Sequence, residues 1–141
     1  MKKVISVVYI FVLTALCSLV FASDSIMVHD AWIRSAPSNV KVMAAYMTIT
    51  NTSNETRAMT AVSSKLFNKV EIHRTEMHEG MAKMMPQKEL IIPAGKSVSL
   101  EPGGYHLMLI DPKAVSREGE QVDMELHFDD GQILHIKIPV R

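Results

Sequence analysis

Beyond the first two dozen positions, apolar and polar residues alternate through most of the chain. Val70 and Ile72 alternate with Glu71, His73 and Thr75, and Val98 and Leu100 with Ser97, Ser99 and Glu101. Val122, Met124, Leu126 and Phe128 alternate with Asp123, Glu125 and His127. Leu134, Ile136, Ile138 and Val140 alternate with His135, Lys137 and Pro139. Successive side chains of a strand point to opposite faces, so each run predicts a strand with one face buried. Ala44-Ala45-Tyr46-Met47-Thr48-Ile49-Thr50 is also β-prone and ends in the polar turn Asn51-Thr52-Ser53-Asn54. Pro93-Ala94-Gly95, Pro102-Gly103-Gly104 and Asp129-Asp130-Gly131 are further turn signals, the last joining two long strands as a hairpin. After position 22 no stretch of ten or more residues carries a helical stripe. The pattern predicts an all-β, antiparallel Greek-key β-sandwich of two sheets, immunoglobulin-like in architecture.

The N-terminus follows another pattern. Lys2 and Lys3 precede an 18-residue apolar run, Val4–Phe21, interrupted only by Ser6, Thr14 and Ser18. Val20-Phe21-Ala22 then offers a cleavage site, and polar Ser23-Asp24-Ser25 follows. This reads as a signal peptide over residues 1–22, with one exported domain over 23–141. The competing reading is a retained membrane anchor, since the run is near the lower length for a spanning helix. Lipid attachment at Cys17 is disfavoured because Leu16 stands where a small residue is expected.

Cleavage alters the composition in two ways that matter. Removing Lys2 and Lys3 from 15 basic residues leaves 13 against 15 acidic ones, with no basic stripe, which argues against nucleic acid as a partner. Cys17 is the only cysteine, so the mature domain has neither thiol nor disulfide. That excludes a thiolate nucleophile, a thiol–disulfide exchange site and a Cys-ligated blue-copper centre. No Ser/His/Asp arrangement or phosphate-binding glycine loop is readable, and an enzyme is not expected. Methionine is over-represented: 11 in the chain, of which Met1 alone lies in the leader. Met43, Met47, Met59 and Met124 fit core positions, where methionine fills gaps.

The remaining histidines and methionines contain one pattern with chemistry in it. His106 and Met108 start a strand just after Pro102-Gly103-Gly104, two residues apart and therefore on one face, with Leu107 and Leu109 on the other. His73 lies on the polar face of its strand. Met84 sits in the Met-dense segment Gly80–Pro86, a loop or short edge strand. His73, Met84, His106 and Met108 together read H-x10-M-x21-H-x-M. This spacing is similar to the signature of the periplasmic copper chaperones called PCuAC. Asp30-Ala31-Trp32-Ile33-Arg34, Ala44-Ala45-Tyr46 and Pro102-Gly103-Gly104-Tyr105-His106 also resemble segments of that family. The likeness spans about residues 26–140.

The resemblance implies a cupredoxin-like sandwich, copper as cargo, and delivery to an acceptor such as a cytochrome c oxidase copper subunit or a thiol-containing assembly factor. The His/Met-rich tail of some relatives has no counterpart before Arg141, so it implies no second ion there. The residue types agree independently with Cu(I). Thioethers are soft and neutral, imidazole accepts many first-row metals, and no carboxylate falls within the pattern. A net positive, four-ligand centre would be costly deep inside, so a shallow site at one end of the sandwich is expected. Met85 is an alternative to Met84 by a one-residue slip. Met77, His78 and Met81 fit an exposed Met-rich segment better than a second site, and Trp32 and Tyr46 fit packing. His127 and His135 share faces with charged residues and read as solvated. Two other functions remain open: a copper-buffering protein with no dedicated acceptor, and a metal-free sandwich used for adhesion or scaffolding. A monomer without membrane contact after cleavage is expected.

Overall fold

The computed structural model describes residues 25–141; the signal-peptide reading of residues 1–22 lies outside the described residues. Ten strands are present: β1 (Ile26–Ile33), β2 (Val42–Asn51), β3 (Arg57–Ser63), β4 (Phe67–His78), β5 (Met81–Gln87), β6 (Leu90–Ile92), β7 (Ser97–Leu100), β8 (Tyr105–Pro112), β9 (Gln121–Phe128) and β10 (Ile133–Pro139). No helix occurs among the described residues. The strands form two sheets, one ordered β1-β2-β7-β8-β4-β5 and one ordered β10-β9-β3-β6. The two-sheet reading is therefore correct. Nearly all pairings are antiparallel; the β7–β8 contact is a single parallel pair, Leu100↔Tyr105.

That exception has a simple cause. β2 pairs with β7 through Met47–Thr50 and with β8 through Val42–Ala45. β7 and β8 thus occupy successive halves of one position in the larger sheet, separated by a four-residue excursion at Glu101-Pro102-Gly103-Gly104. The excursion closes on itself, with Glu101 N–H donating to Tyr105 O at 2.8 Å and Gly104 N–H to Glu101 O at 3.0 Å. Gly103 has φ 86°, a left-handed conformation that side-chain-bearing residues rarely adopt. His106 is the second residue after this interruption.

The core lies between the sheets. On the larger sheet Met43, Ala45, Met47 and Ile49 of β2 point inward with Ile72, Leu107 and Leu109. The smaller sheet supplies Met59, Val62, Val122, Met124, Leu126, Phe128 and Ile138. All four methionines assigned to the core are buried. Leu107 and Leu109 are wholly buried, each stabilising the fold by roughly 1.5–3 kcal/mol. Period-two geometry then fixes the intervening His106 and Met108 on the outer face of the sheet. β1 carries a bulge between His29 and Trp32, where Asp30 has φ 50°. The extra residue puts Trp32 beside Tyr46 on that same outer face, with Ile33 facing the core.

Candidate metal centre

Strand register brings the four spaced residues together. β4 and β8 are antiparallel neighbours with His73 directly opposite His106 and Glu71 opposite Met108. β5 flanks β4 on its other side, with Met84 opposite Thr75 and Pro86 opposite His73. Directly opposed residues share a face, so His73, Met84, His106 and Met108 all lie on the outer face of the larger sheet. Met84, His106 and Met108 line one cavity of about 360 Å³, along with Arg34, Val42, Ala44, Tyr46 and Gly103. The His73 and His106 rings have centroids 5.8 Å apart, tilted by 46°. Two imidazoles bound to one ion at ~2.0 Å can place their ring centres no more than about 6.3 Å apart. The observed separation is therefore within reach of one shared ion.

Burial grades across the group. His73 and His106 are 7% and 4% exposed, whereas Met84 is 56% exposed. His73, placed by alternation on the polar face of its strand, is thus shielded from solvent. It lies on the outer face of the larger sheet on β4, flanked within the sheet by β8 on one side and β5 on the other. The four candidate ligands lie on the outer face of the larger sheet, near the end where the Pro102–Gly104 turn leads into β8. Met84 is placed by an edge strand, not a loop, on an arm that extends past the start of β8. The turn of this arm uses Glu79 at φ 51° and Gly80 at φ 81°, the two left-handed residues of a tight hairpin. Met85, one residue on, points to the opposite face of the arm, opposite Arg74; the register favours Met84 over the slipped alternative.

Each imidazole is held by one nitrogen and bare at the other. His106 Nδ1 lies 3.2 Å from the carbonyl of Gly104 and donates to it. His73 Nε2 lies 2.8 Å from Glu71 Oε2 and donates to that carboxylate. The tautomers follow from these acceptors. The remaining atoms, His73 Nδ1 and His106 Nε2, are buried with no hydrogen-bond partner among the described residues. Leaving a buried polar atom unsatisfied costs about 1–3 kcal/mol, so two on adjacent rings call for an explanation. Lone pairs directed at a soft cation supply one. Lys69 ion-pairs with the other oxygen of Glu71. The hydrogen bonds from Lys69 and then from His73 hold the Glu71 carboxyl below its ordinary range, despite some opposing desolvation.

Other residues fall where their chemistry allows. Trp32 and Tyr46 pack with ring centroids 4.7 Å apart, and the Arg34 guanidinium lies 5.8 Å from the Tyr46 ring centre. Tyr46 thus forms a wall of the cavity. Met77 and Met81 are 68% and 70% exposed on the arm, Met77 on the face of Met84 and Met81 on the other, opposite His78. His127 and His135 lie on the smaller sheet beside Glu125, far from this face in the topology. His29 is exposed. Among the described residues no group of three or more His, Cys, Asp or Glu is arranged to hold an ion; the donors gathered here are two imidazoles and two thioethers. Glu71 and the Gly104 carbonyl were not singled out from sequence. Alternation could have flagged Glu71, since Lys69, Glu71 and His73 occupy consecutive positions on one strand face.

Comparison with known proteins agrees with this architecture. Residues 26–140 match the LpqE-like family, described as "Putative lipoprotein LpqE-like". The chain is 31% identical over 120 residues to "Putative lipoprotein Lxx21020" of Leifsonia xyli, covering 84% of this chain and 71% of that protein. It is 32% identical over 98 residues to "Uncharacterized protein RP573" of Rickettsia prowazekii, spanning 54% of that protein. Among solved structures, the copper-bound PCuAC domain from PmoF2 superimposes with a TM-score of 0.72 at 21% identity, over 86% of this chain and 96% of that one. The Cu(I) form of DR1885 from Deinococcus radiodurans superimposes with a TM-score of 0.65 at 27% identity, over 90% and 85%. The chain belongs to the LpqE-like family, and its cupredoxin-like β-sandwich is the fold of PCuAC domains.

Proposed function

We propose that this protein is a copper metallochaperone that carries one Cu(I) on His73, Met84, His106 and Met108 and passes it to another protein. The observation carrying the reading is the pair of buried, adjacent imidazoles, each with one nitrogen anchored and the other bare, on the face that also holds Met84 and Met108. Soft neutral thioethers with imidazole select Cu(I) over Zn²⁺, which prefers thiolate, imidazole or carboxylate. Cu(II) binds more weakly, or with altered ligands. The copper-bound PCuAC domain and Cu(I)-DR1885 among the structural relatives support copper as the cargo.

The burial gradient suits delivery. The imidazoles hold the ion from below and Met84 closes it from the exposed edge. An incoming ligand meets Met84 first, and the cavity beside Met108 has room for a partner's side chain. The function is binding and transfer, not catalysis. Export by a signal peptide over 1–22 to the periplasm, and an oxidase copper subunit or thiol-containing assembly factor as acceptor, complete the proposal. The relatives named as lipoproteins support a place in the cell envelope.

A Cu(I)-competition titration against a chromogenic chelator tests the binding. The wild-type protein is expected to take one equivalent, and His73→Ala, Met84→Leu, His106→Ala and Met108→Leu are each expected to weaken it. Failure of the folded protein to compete would support a metal-free scaffold. Mixing the Cu(I) form with apo acceptor domains tests delivery; retention of copper against all of them would favour a buffer.

A further inference from the structure

A candidate ligand that can bind through either of two nitrogens needs something to choose between them. The two histidines are constrained differently. His106 donates from Nδ1 to the Gly104 carbonyl at 3.2 Å, which leaves Nε2 bare. His73 donates from Nε2 to Glu71 Oε2 at 2.8 Å, which leaves Nδ1 bare. Glu71 is itself anchored. It lies two residues from His73 on the same strand face, opposite Met108, and its second oxygen is held by Lys69.

We propose that Glu71 is a positioning residue that fixes the His73 tautomer, so that the two imidazoles present different nitrogens, Nδ1 from His73 and Nε2 from His106. Its effect on the ion rests on the Cu(I) reading above; its effect on the tautomer does not. Three physical points support it. A carboxylate accepting from a ligand histidine fixes ring orientation and raises the basicity of the opposite nitrogen. A charge-assisted hydrogen bond of this length is stronger than the neutral bond available to His106. Four neutral ligands leave a bound Cu(I) with its full positive charge, and Glu71 is an acidic side chain on the same face, facing Met108. Glu71 itself is turned to Nε2, the side of the ring away from the bare nitrogen, so it orients the ligand without being one.

The test uses the full mature protein and has two independent readouts. Long-range proton–nitrogen NMR of the metal-free, ¹⁵N-histidine-labelled protein at a pH where histidine is neutral reports each tautomer. Wild type is expected to show His73 protonated at Nε2 and His106 at Nδ1. In Glu71→Ala the His73 signals should move to a tautomer mixture while those of His106 stay. Cu(I) affinity should fall by about 10- to 100-fold, the usual range for losing such an outer partner. Glu71→Gln supplies an amide oxygen at the same reach and should restore the tautomer and most of the affinity. His73 protonated at Nδ1 in the wild type would overturn the proposal, as would an unchanged tautomer and affinity in Glu71→Ala. If Glu71→Ala does not fold, the wild-type tautomer and the Glu71→Gln affinity decide. If the wild type shows the expected tautomers but binds no Cu(I), the copper reading fails while the positioning role of Glu71 stands.

Discussion

At the residue scale, sulfur and imidazole are separable contributions. Met108 is half-buried on β8, between Ala44 and Glu71 on the neighbouring strands. Replacing it with Leu nearly conserves volume, which ordinarily costs less than about 1.5 kcal/mol in stability. Met108→Leu should therefore stay folded by near-ultraviolet circular dichroism and urea denaturation. It should still bind Cu(I) more than about tenfold more weakly, a loss above 1.4 kcal/mol. Unchanged affinity in that folded variant would remove Met108 from the ligand set. Oxidation separates two populations of methionine. Met77, Met81 and Met84 are more than half exposed, whereas Met43, Met47, Met59 and Met124 are buried. Brief peroxide treatment should oxidise the first group and spare the second, as read by peptide mass spectrometry. Prior loading with Cu(I) should protect Met84 but not Met81. Equal protection of both, or of neither, would argue against Met84 as a ligand.

At the element scale, the site depends on three strands kept in register by different devices. β8 is set by the Glu101–Gly104 excursion, and Gly103 is the residue there with a left-handed backbone, φ 86°. Open space surrounds its missing Cβ, so Gly103→Ala would be opposed by backbone conformation, not by collision. A cost of about 1 kcal/mol is expected in denaturant unfolding; a neutral result would show that the turn can relax. Much of this was legible in the sequence. The alternation marked β4, β7, β9 and β10, and Pro102-Gly103-Gly104 marked the break before β8. β3 was not marked, because a bulge between Met59 and Ala61 disturbs its alternation. β5 was ambiguous because its exposed methionines mimic a loop. The β1 bulge that moves Trp32 to the site's face also has no period-two signature.

At the scale of the whole molecule, one sheet serves two purposes. Its inner face carries the core and its outer face carries the candidate centre, so residues one apart on β8 divide stability from function. Leu107→Ala should cost about 2–5 kcal/mol by urea denaturation. Buried polar Asn51 shows what a sequence pattern hides. It reads as the start of a turn, yet it is fully buried, donating to Glu55 O at 2.7 Å and Ile92 O at 3.0 Å. It thereby ties the end of β2 in one sheet to β6 in the other. The four candidate ligands were legible because period-two faces, and a spacing that resembles the PCuAC signature, can be read without knowledge of the fold. The burial of His73 and His106 was not, because alternation shows a polar face but not which strands flank each ring.

One Cu(I) sharing two nitrogens and two sulfurs is the claim on which the functional account stands. X-ray absorption at the copper edge of the loaded protein tests it most directly. The account predicts a monovalent edge and a first shell of two nitrogens near ~2.0 Å and two sulfurs near ~2.3 Å, the sulfur signal falling by half in Met84→Leu or Met108→Leu. A shell of nitrogen and oxygen alone, or a sulfur signal unmoved by both substitutions, would contradict it.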